Sequence, residues 1–102
     1  MSDARLPKES VEAMLADLPG WELSNGQLHR RFVFDDFSRA IGFMMRTALV
    51  CEQLDHHPNW YNVYGRVDVQ LWTHTAGGVT GLDVRLAQKM NEIAAQVGES
   101  AR

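Results

Sequence analysis

The chain contains a short run of residues suited to proton transfer, Glu52-Gln53-Leu54-Asp55-His56-His57-Pro58. It places a carboxylate at Glu52 four residues before a histidine at His56, with a second histidine and a proline directly after. A third histidine, His74, and an acid, Asp83, follow further along the chain. Imidazole is the side chain best suited to exchanging protons near neutral pH, and a carboxylate can orient it. The pattern therefore indicates acid–base chemistry on a small molecule.

Each of these residues also has a purely structural interpretation. Glu52 and His56 could be a surface pair on a helix, worth roughly 0.2–0.5 kcal/mol. His57 before a proline could be a turn residue, His74 an exposed loop residue, and Asp83 an acid at the start of a helix. The functional interpretation depends on convergence, because the end of one helix and the end of the last strand can close over one pocket.

Other kinds of site are less well supported. Histidines and carboxylates can bind zinc or iron, but the adjacent His56 and His57 cannot easily direct both rings to one ion. The sequence also lacks HxxxH and CxxC spacings. Cys51 is expected on an apolar stripe, where a buried thiol is inert. His29, on a strand beside charged residues, is predicted to be a surface residue. We therefore predict no metal site.

Composition limits the class of protein. A length of 102 residues with 45% hydrophobic content predicts one folded domain over residues 1–102. A net charge of -3 argues against a nucleic-acid binder. No apolar run approaches the roughly 20 residues that span a membrane. Residues 1–5 lack an apolar signal core, and the one cysteine cannot form an internal disulfide, so a cytoplasmic protein is expected.

The elements that must position the histidines follow from apolar periodicity and turn signals. Ser10 is predicted to cap a first helix that ends at Pro19-Gly20. Asn25-Gly26 predicts a hairpin turn between strands at 21–23 and 27–34. Asp35 or Asp36 then starts a long amphipathic helix over residues 37–55. Its expected apolar stripe comprises Phe37, Ile41, Met44, Ala48, Leu49 and Cys51, widened by Met45 and Leu54.

The long helix must stop before Pro58, which places Glu52 and His56 on one face of its last turn and points His57 elsewhere. A second hairpin about Gly65 joins strands at 60–64 and 66–73, and a loop follows over residues 74–79. Thr80 with Asp83 three residues on resembles a capping box, and an apolar stripe marks a closing helix.

The class is α+β: a four-stranded antiparallel sheet of two hairpins with about three helices on one face, in the order α-β-β-α-β-β-α. The small core and the uncovered sheet predict self-association.

The combined pattern resembles a known family, the pterin-4a-carbinolamine dehydratases. The resemblance lies in the run Glu52-x-x-x-His56-His57-Pro58-x-Trp60-x-x-Val63-Tyr64, then Thr73-His74 and Asp83. It extends over nearly the whole chain through Leu18-Pro19-Gly20-Trp21, Phe34-x-Asp36-Phe37 and Phe43-Met44. One departure is visible, because the family often has a charged pair just before the aspartate, where this chain has Gly81-Leu82.

The resemblance implies dehydration of 4a-hydroxytetrahydropterin to quinonoid dihydropterin, which recycles the pterin oxidised by aromatic amino-acid hydroxylases. This reaction needs no metal, nucleotide or covalent intermediate, so no cofactor is expected. His56 and His74 would form the acid–base pair and His57 would bind and orient the substrate. Glu52 would orient His56, and Asp83 would do the same for His74. Further residues that match positions lining the family's pocket are Asp55, Trp60 and Thr73. Two tryptophans, Trp60 and Trp72, could belong to the core or wall a pocket for a flat ring.

The resemblance also implies association with other chains. Family members form homodimers and homotetramers, and some act as partners of other proteins. A mammalian form stabilises a transcription-factor dimer, and some bacterial and plastid relatives resemble assembly factors. A non-enzymatic binding role with the same fold is therefore the alternative to catalysis. The complete set of His56, His57 and His74 favours the enzyme, because a scaffold has no physical need for all three.

Overall fold

A computed structural model describes residues 4–101 and contains the predicted order of elements. Its helices are α1 (Lys8–Met14), α2 (Phe37–Leu54) and α3 (Gly81–Val97). Its strands are β1 (Glu22–Ser24), β2 (Gln27–Val33), β3 (Asn59–Val63) and β4 (Arg66–Leu71). Short 3₁₀ turns cover Leu15–Asp17 and His74–Ala76. The predicted α+β class is confirmed, with strand ends differing from the prediction by one or two residues.

The four strands form one antiparallel sheet in the order β1-β2-β4-β3. Side chains that alternate along the two central strands are fully buried beneath α2 and α3, among them Leu28 and Phe32 of β2 and Val67 of β4. The opposite face carries polar side chains such as Arg31 and Asp68, which form an ion pair at 2.7 Å. The helices therefore cover one face of the sheet, while β1 and β3 are its edges.

The first helix begins differently from the prediction. Its N-cap is Pro7, and no side chain provides a capping hydrogen bond. Ser10 lies inside the helix, so the prediction that it caps α1 is wrong; proline already has the φ that a helix start requires. The expected apolar side remains, with Val11 and Leu18 buried. Met1 to Asp3, which carry part of the argument against an export signal, lie outside the described residues.

Both hairpin turns use residues with positive φ. Asn25 and Gly26 have φ of 54° and 74°, as the sequence predicted for that turn. The second turn places Tyr64 at φ 51° beside Gly65. A Cβ at Gly65 would lie 2.2 Å from the carbonyl oxygen of Phe34, so only glycine fits there. The second turn also contacts the end of β2, because the Phe34 backbone N–H donates to the carbonyl of Gly65 at 2.7 Å. Strand β4 then leads into the His74 loop.

Helix α2 starts as predicted but buries a different face. The side chain of Asp36 caps it by accepting a hydrogen bond from the backbone N–H of Arg39 at 2.8 Å. The buried residues are Ala40, Phe43, Thr47 and Cys51. Four others that were expected in one buried stripe are 36 to 69% exposed, namely Phe37, Ile41, Met45 and Leu49. Ala48 is exposed as well. The prediction merged two neighbouring stripes, because an apolar face looks the same in sequence whether core or solvent lies against it.

The closing helix confirms the predicted capping box. Thr80 is the N-cap of α3, and Asp83 accepts a hydrogen bond from the Thr80 backbone N–H at 2.9 Å. Leu86, Met90 and Ala94 are fully buried along its inner face. Among residues 4–101, every helix is too short or too polar to cross a lipid bilayer.

Candidate active site at the end of helix α2

The end of α2 decides where its histidines point. Asp55 adopts a left-handed conformation with φ 51° and ψ 47°. Its backbone N–H and that of His56 both donate to the carbonyl oxygen of Cys51. This arrangement closes the helix at Leu54 and turns the chain sharply. The turn buries His56 and leaves His57 exposed, so the prediction that Glu52 and His56 share a helical face is wrong.

His56 belongs to a buried polar network that is centred on Asp83. Its Nε2 lies 2.5 Å from Oδ1 of Asp83, which is fully buried. The other carboxylate oxygen accepts from the Thr73 hydroxyl and from the Thr80 backbone N–H, both at 2.9 Å. The two threonine hydroxyls are also 2.9 Å apart. Three donors therefore satisfy the buried carboxylate, which fixes the ring of His56.

The network also determines which nitrogen of His56 can act on a substrate. A carboxylate only accepts hydrogen bonds, so Nε2 of His56 carries the hydrogen that Asp83 receives. Within residues 4–101, Nδ1 of His56 has no hydrogen-bond partner. In the neutral ring that nitrogen carries a lone pair. The arrangement thus presents a proton acceptor on an oriented imidazole.

His57 pairs with the carboxylate that was expected to orient His56. Nε2 of His57 lies 3.3 Å from Oε2 of Glu52, and the two side chains are 60% and 79% exposed. A pair this exposed contributes little to stability. The expected pairs Glu52–His56 and Asp83–His74 are both wrong. Asp55 is the cause, because its left-handed conformation directs His56 inward to Asp83 and leaves His57 on the side of Glu52.

His74 is the third histidine and has a different support. It begins the 3₁₀ turn that follows β4, and the Thr73 backbone N–H donates to the carbonyl of Gly78 at 2.8 Å across the base of this turn. The rings of His74 and Trp72 are in contact, tilted by 34° to each other, with centroids 4.5 Å apart. No hydrogen bond or ion pair to the His74 ring is found within residues 4–101.

One cavity of about 330 Å³ brings the three histidines together. This volume is at the lower end of the roughly 300–1,000 Å³ that is typical of small-molecule sites. The predicted site residues that line it are Asp55, His56, His57, Thr73 and His74. The remaining lining residues are Pro58, Asn59, Trp72 and Thr75.

Three predicted site residues lie outside the lining. Asp83 is behind the wall and acts on His56, Glu52 is on the outer side against His57, and Trp60 packs against the hydrophobic core. Trp72, which the sequence left undecided between core and pocket, takes the place expected for Trp60. The sequence signal for Trp72 is its spacing from His74. The two residues lie on either side of Thr73 at the end of a strand with alternating side chains, so their side chains point to the same side.

The rest of the described chain contains no comparable cluster. Larger clefts of about 560 and 520 Å³ lie beside the N-terminal segment and on the open sheet face, but neither is lined by more than one histidine. Within residues 4–101, no three His, Cys, Asp or Glu side chains are arranged to hold a metal ion. His29 is half-buried with its Nε2 enclosed, not a surface residue as predicted. Burial raises the pKa of the Cys51 thiol.

The geometry agrees with a comparison of the whole sequence to known families. The model of the family described as pterin 4 alpha carbinolamine dehydratase matches residues 4–93. The chain belongs to this family. The matched range includes both hairpins and the residues of the histidine network.

Individual relatives support this membership. A protein from Chelativorans sp. with the provisional designation of a pterin-4-alpha-carbinolamine dehydratase is 52% identical over 94% of this chain and 100% of its own length. A protein of the same designation from Bordetella avium is 56% identical over 92% of this chain and 89% of its own. The crystal structure of a transcriptional coactivator/pterin dehydratase from Brucella melitensis has a TM-score of 0.86 and 49% identity. It covers 88% of this chain and 98% of that one.

Proposed function

We propose that this chain, as one domain over residues 1–102, is a hydro-lyase that dehydrates 4a-hydroxytetrahydropterin to quinonoid dihydropterin. The observation that carries the proposal is the convergence of His56, His57 and His74 on one small cavity, with His56 held by buried Asp83. The family and the designations of its relatives support the same reaction. The imidazole and indole rings that line the cavity suit a flat heterocycle.

The reaction requires one proton to be delivered and one to be removed. In the proposed mechanism His74, as imidazolium, protonates the C4a hydroxyl as the C–O bond breaks, so that water leaves. The lone pair of the neighbouring ring nitrogen forms the new C=N bond, and Nδ1 of His56 accepts the proton that the pterin loses. The two histidines exchange their protons with solvent before the next turnover. All bonds and charges balance without any further reagent.

The other residues of the site position the substrate or the histidines. Asp83 holds the hydrogen on Nε2 of His56, and Thr73 keeps Asp83 in place. His57, assisted by Glu52, binds the ring at the open side of the cavity, and Asp55 lines the same side. Trp60 supports strand β3 from the core side, next to Asn59 in the cavity wall.

The proposal also includes the source of the substrate and the cellular compartment. Dehydration of the carbinolamine returns oxidised pterin toward its reduced form, so an aromatic amino-acid hydroxylase is the proposed source of the substrate. The single Cys51 is free and buried, which suits a reducing compartment. We assign the protein to the cytoplasm on this basis.

Self-association is the part of the proposal that rests on α2 and on the sheet edge. Phe37, Ile41, Met45 and Leu49 recur every four residues and form an exposed apolar stripe. Such a stripe on a surface helix is typical of an interface. Among residues 4–101, no strand lies beside the outer edge of β3 in the sheet. These two surfaces can join copies of the chain into a homodimer or a homotetramer.

A stopped-flow assay tests the proposed activity. The decay of 4a-hydroxytetrahydropterin is followed with buffer alone, with the protein, and with the His74→Ala variant. We expect strong acceleration by the protein and at least a tenfold loss in the variant, in line with acid–base contributions of about 10² to 10⁴. His29→Ala is the matched control, because His29 lies on the open sheet face, and it should retain full activity. Folded protein that gives no acceleration contradicts the proposal.

A protein-binding role is the second candidate, and the exposed stripe of α2 favours it. The Brucella melitensis relative is described as a coactivator as well as a dehydratase. A purified protein partner that binds stoichiometrically, is indifferent to His74→Ala and is lost with Leu49→Glu would support this role. If the partner requires the histidines, the stripe is not its docking surface.

A further inference from the structure

We propose that Trp72 is a positioning residue for His74, and that it holds the imidazole in the orientation needed to protonate the leaving hydroxyl. This inference rests on the proposed function, because it assigns a role within the same site. Nothing in the residue pattern that indicates the family includes Trp72. The assignment comes from the contact between the two rings and from the absence of a polar partner for the His74 ring within residues 4–101.

The ring contact has the geometry of a close, tilted aromatic pair. The centroids of Trp72 and His74 are 4.5 Å apart with a tilt of 34°. Ring pairs in proteins are found at centroid separations of about 4.5–7 Å, so this contact is at the close end of the range. Both rings also line the 330 Å³ cavity, so the pair forms one wall of the site.

The three histidines differ in how they are held. His56 has the buried carboxylate of Asp83, and His57 has the exposed carboxylate of Glu52. The ring of His74 has no polar partner within residues 4–101, and its side chain is exposed. Rotation about the χ2 bond of histidine is otherwise broad, so an unsupported ring would sample many orientations. Trp72 is therefore the contact that restricts this rotation.

The backbone supports the same arrangement. Trp72 directly follows Leu71, the buried last residue of β4, and Thr73 is anchored by its hydroxyl to Asp83. The chain on both sides of Trp72 is thus fixed, while the indole itself is only half-buried. A half-buried tryptophan beside a small cavity can contact His74, the substrate, or both, and the experiment must separate these two effects.

The experiment compares Trp72→Leu, which removes the aromatic face, with Trp72→Phe, which keeps one. Trp72→Leu is expected to lower kcat about 3- to 10-fold with KM changed less than about twofold, because the proton donor is misoriented while the cavity remains. Trp72→Phe should restore kcat to within about twofold of wild type. In the His74→Ala background, Trp72→Leu should cause no further loss, since a residue that acts only through His74 has nothing left to position.

A spectroscopic measurement is independent of catalysis. The ring protons of His74, assigned by their absence in His74→Ala, should have NMR resonances shifted upfield by the indole. The shift should disappear in Trp72→Leu and persist in part in Trp72→Phe. If wild-type protein shows this shift but has no dehydratase activity, the proposed function fails while the ring contact stands.

Two further results would overturn the inference itself. One is a Trp72→Leu protein with wild-type kcat, and the other is an equal loss of kcat from Trp72→Leu with and without His74. Trp21→Phe is the matched control for an effect that comes only from lower stability. Trp21 is buried and donates a hydrogen bond to Asn91, away from the cavity. It should lower the melting temperature without lowering kcat.

Discussion

Replacing Asp83 by asparagine should disable His56 without unfolding the protein. One carboxylate oxygen of Asp83 accepts from both Thr73 and Thr80, so the amide oxygen of the variant must take that position. The amide NH₂ then faces Nε2 of His56 and can only donate to it. Nε2 becomes an acceptor, and the ring hydrogen moves to Nδ1. The cavity is left with a donor where the mechanism requires an acceptor.

The size of the effect follows from the two roles of Asp83. Loss of a general base costs about 10² to 10⁴ in rate, and the corresponding Asp→Asn change in serine proteases costs about 10⁴ through the same tautomer change. We therefore expect Asp83→Asn to lower kcat by about 10² to 10⁴. Weaker hydrogen bonds to the neutral amide should lower the free energy of unfolding by about 1–3 kcal/mol, which leaves the variant folded.

The assay combines stopped-flow kinetics with ¹⁵N NMR of the histidine rings, which reports whether Nδ1 or Nε2 is protonated. Asp68→Asn is the matched control, because Asp68 pairs with Arg31 on the open sheet face and should be kinetically silent. Folded Asp83→Asn protein with kcat within threefold of wild type would refute the role of Asp83. The same rate with a changed tautomer would refute the role of Nδ1 of His56 as the base.

Three further outcomes are expected. Burial raises the pKa of the Cys51 thiol above its ordinary value of 9.0, with a smaller contribution from the charge of Glu52. The thiol therefore ionises at a lower pH in the unfolded chain than in the folded one. The contribution of the thiol to stability is present at neutral pH and is lost as the pH rises past about 9. The advantage of wild type over Cys51→Ala in melting temperature should shrink between pH 7 and 10.5, and parallel curves would contradict this. Glu52→Gln should change the free energy of unfolding by less than about 0.5 kcal/mol in urea titrations, because its pair with His57 is exposed. Leu49→Glu should weaken self-association at least about a hundredfold in sedimentation velocity, whereas the control Gln88→Glu, at an exposed position of α3, should not. An unchanged oligomer in Leu49→Glu would exclude the α2 stripe as the interface.

Local rules predicted the parts of the fold that depend on neighbouring residues. Asn25-Gly26 gave the first hairpin, and Thr80 with Asp83 gave the capping box, because each signal is complete within four residues. The meeting of the three histidines at one cavity was also predictable, since it depends on where α2 and β4 end.

Which histidine of the site pairs with which carboxylate was not predictable from the sequence. It depends on the left-handed conformation of Asp55, and aspartate enters that region only where the surrounding structure requires it. The burial of α2 was missed for a different reason. An apolar stripe in solvent and one in the core have the same periodicity, so the surplus of apolar positions on α2 was assigned to one face.

The shared use of Asp83 couples catalysis to the local stability of a helix end. The carboxylate that caps the first turn of α3 is the one that orients His56, so fraying of that turn releases the histidine as well. The cap of the helix and the support of His56 both depend on one side chain, so opening of the first turn of α3 removes both together. Occupancy of the cavity must in return slow the opening of α3, which makes the backbone amide of Thr80 a reporter of substrate binding in hydrogen exchange. Proton transfer by His56 therefore requires that the first turn of α3 is formed.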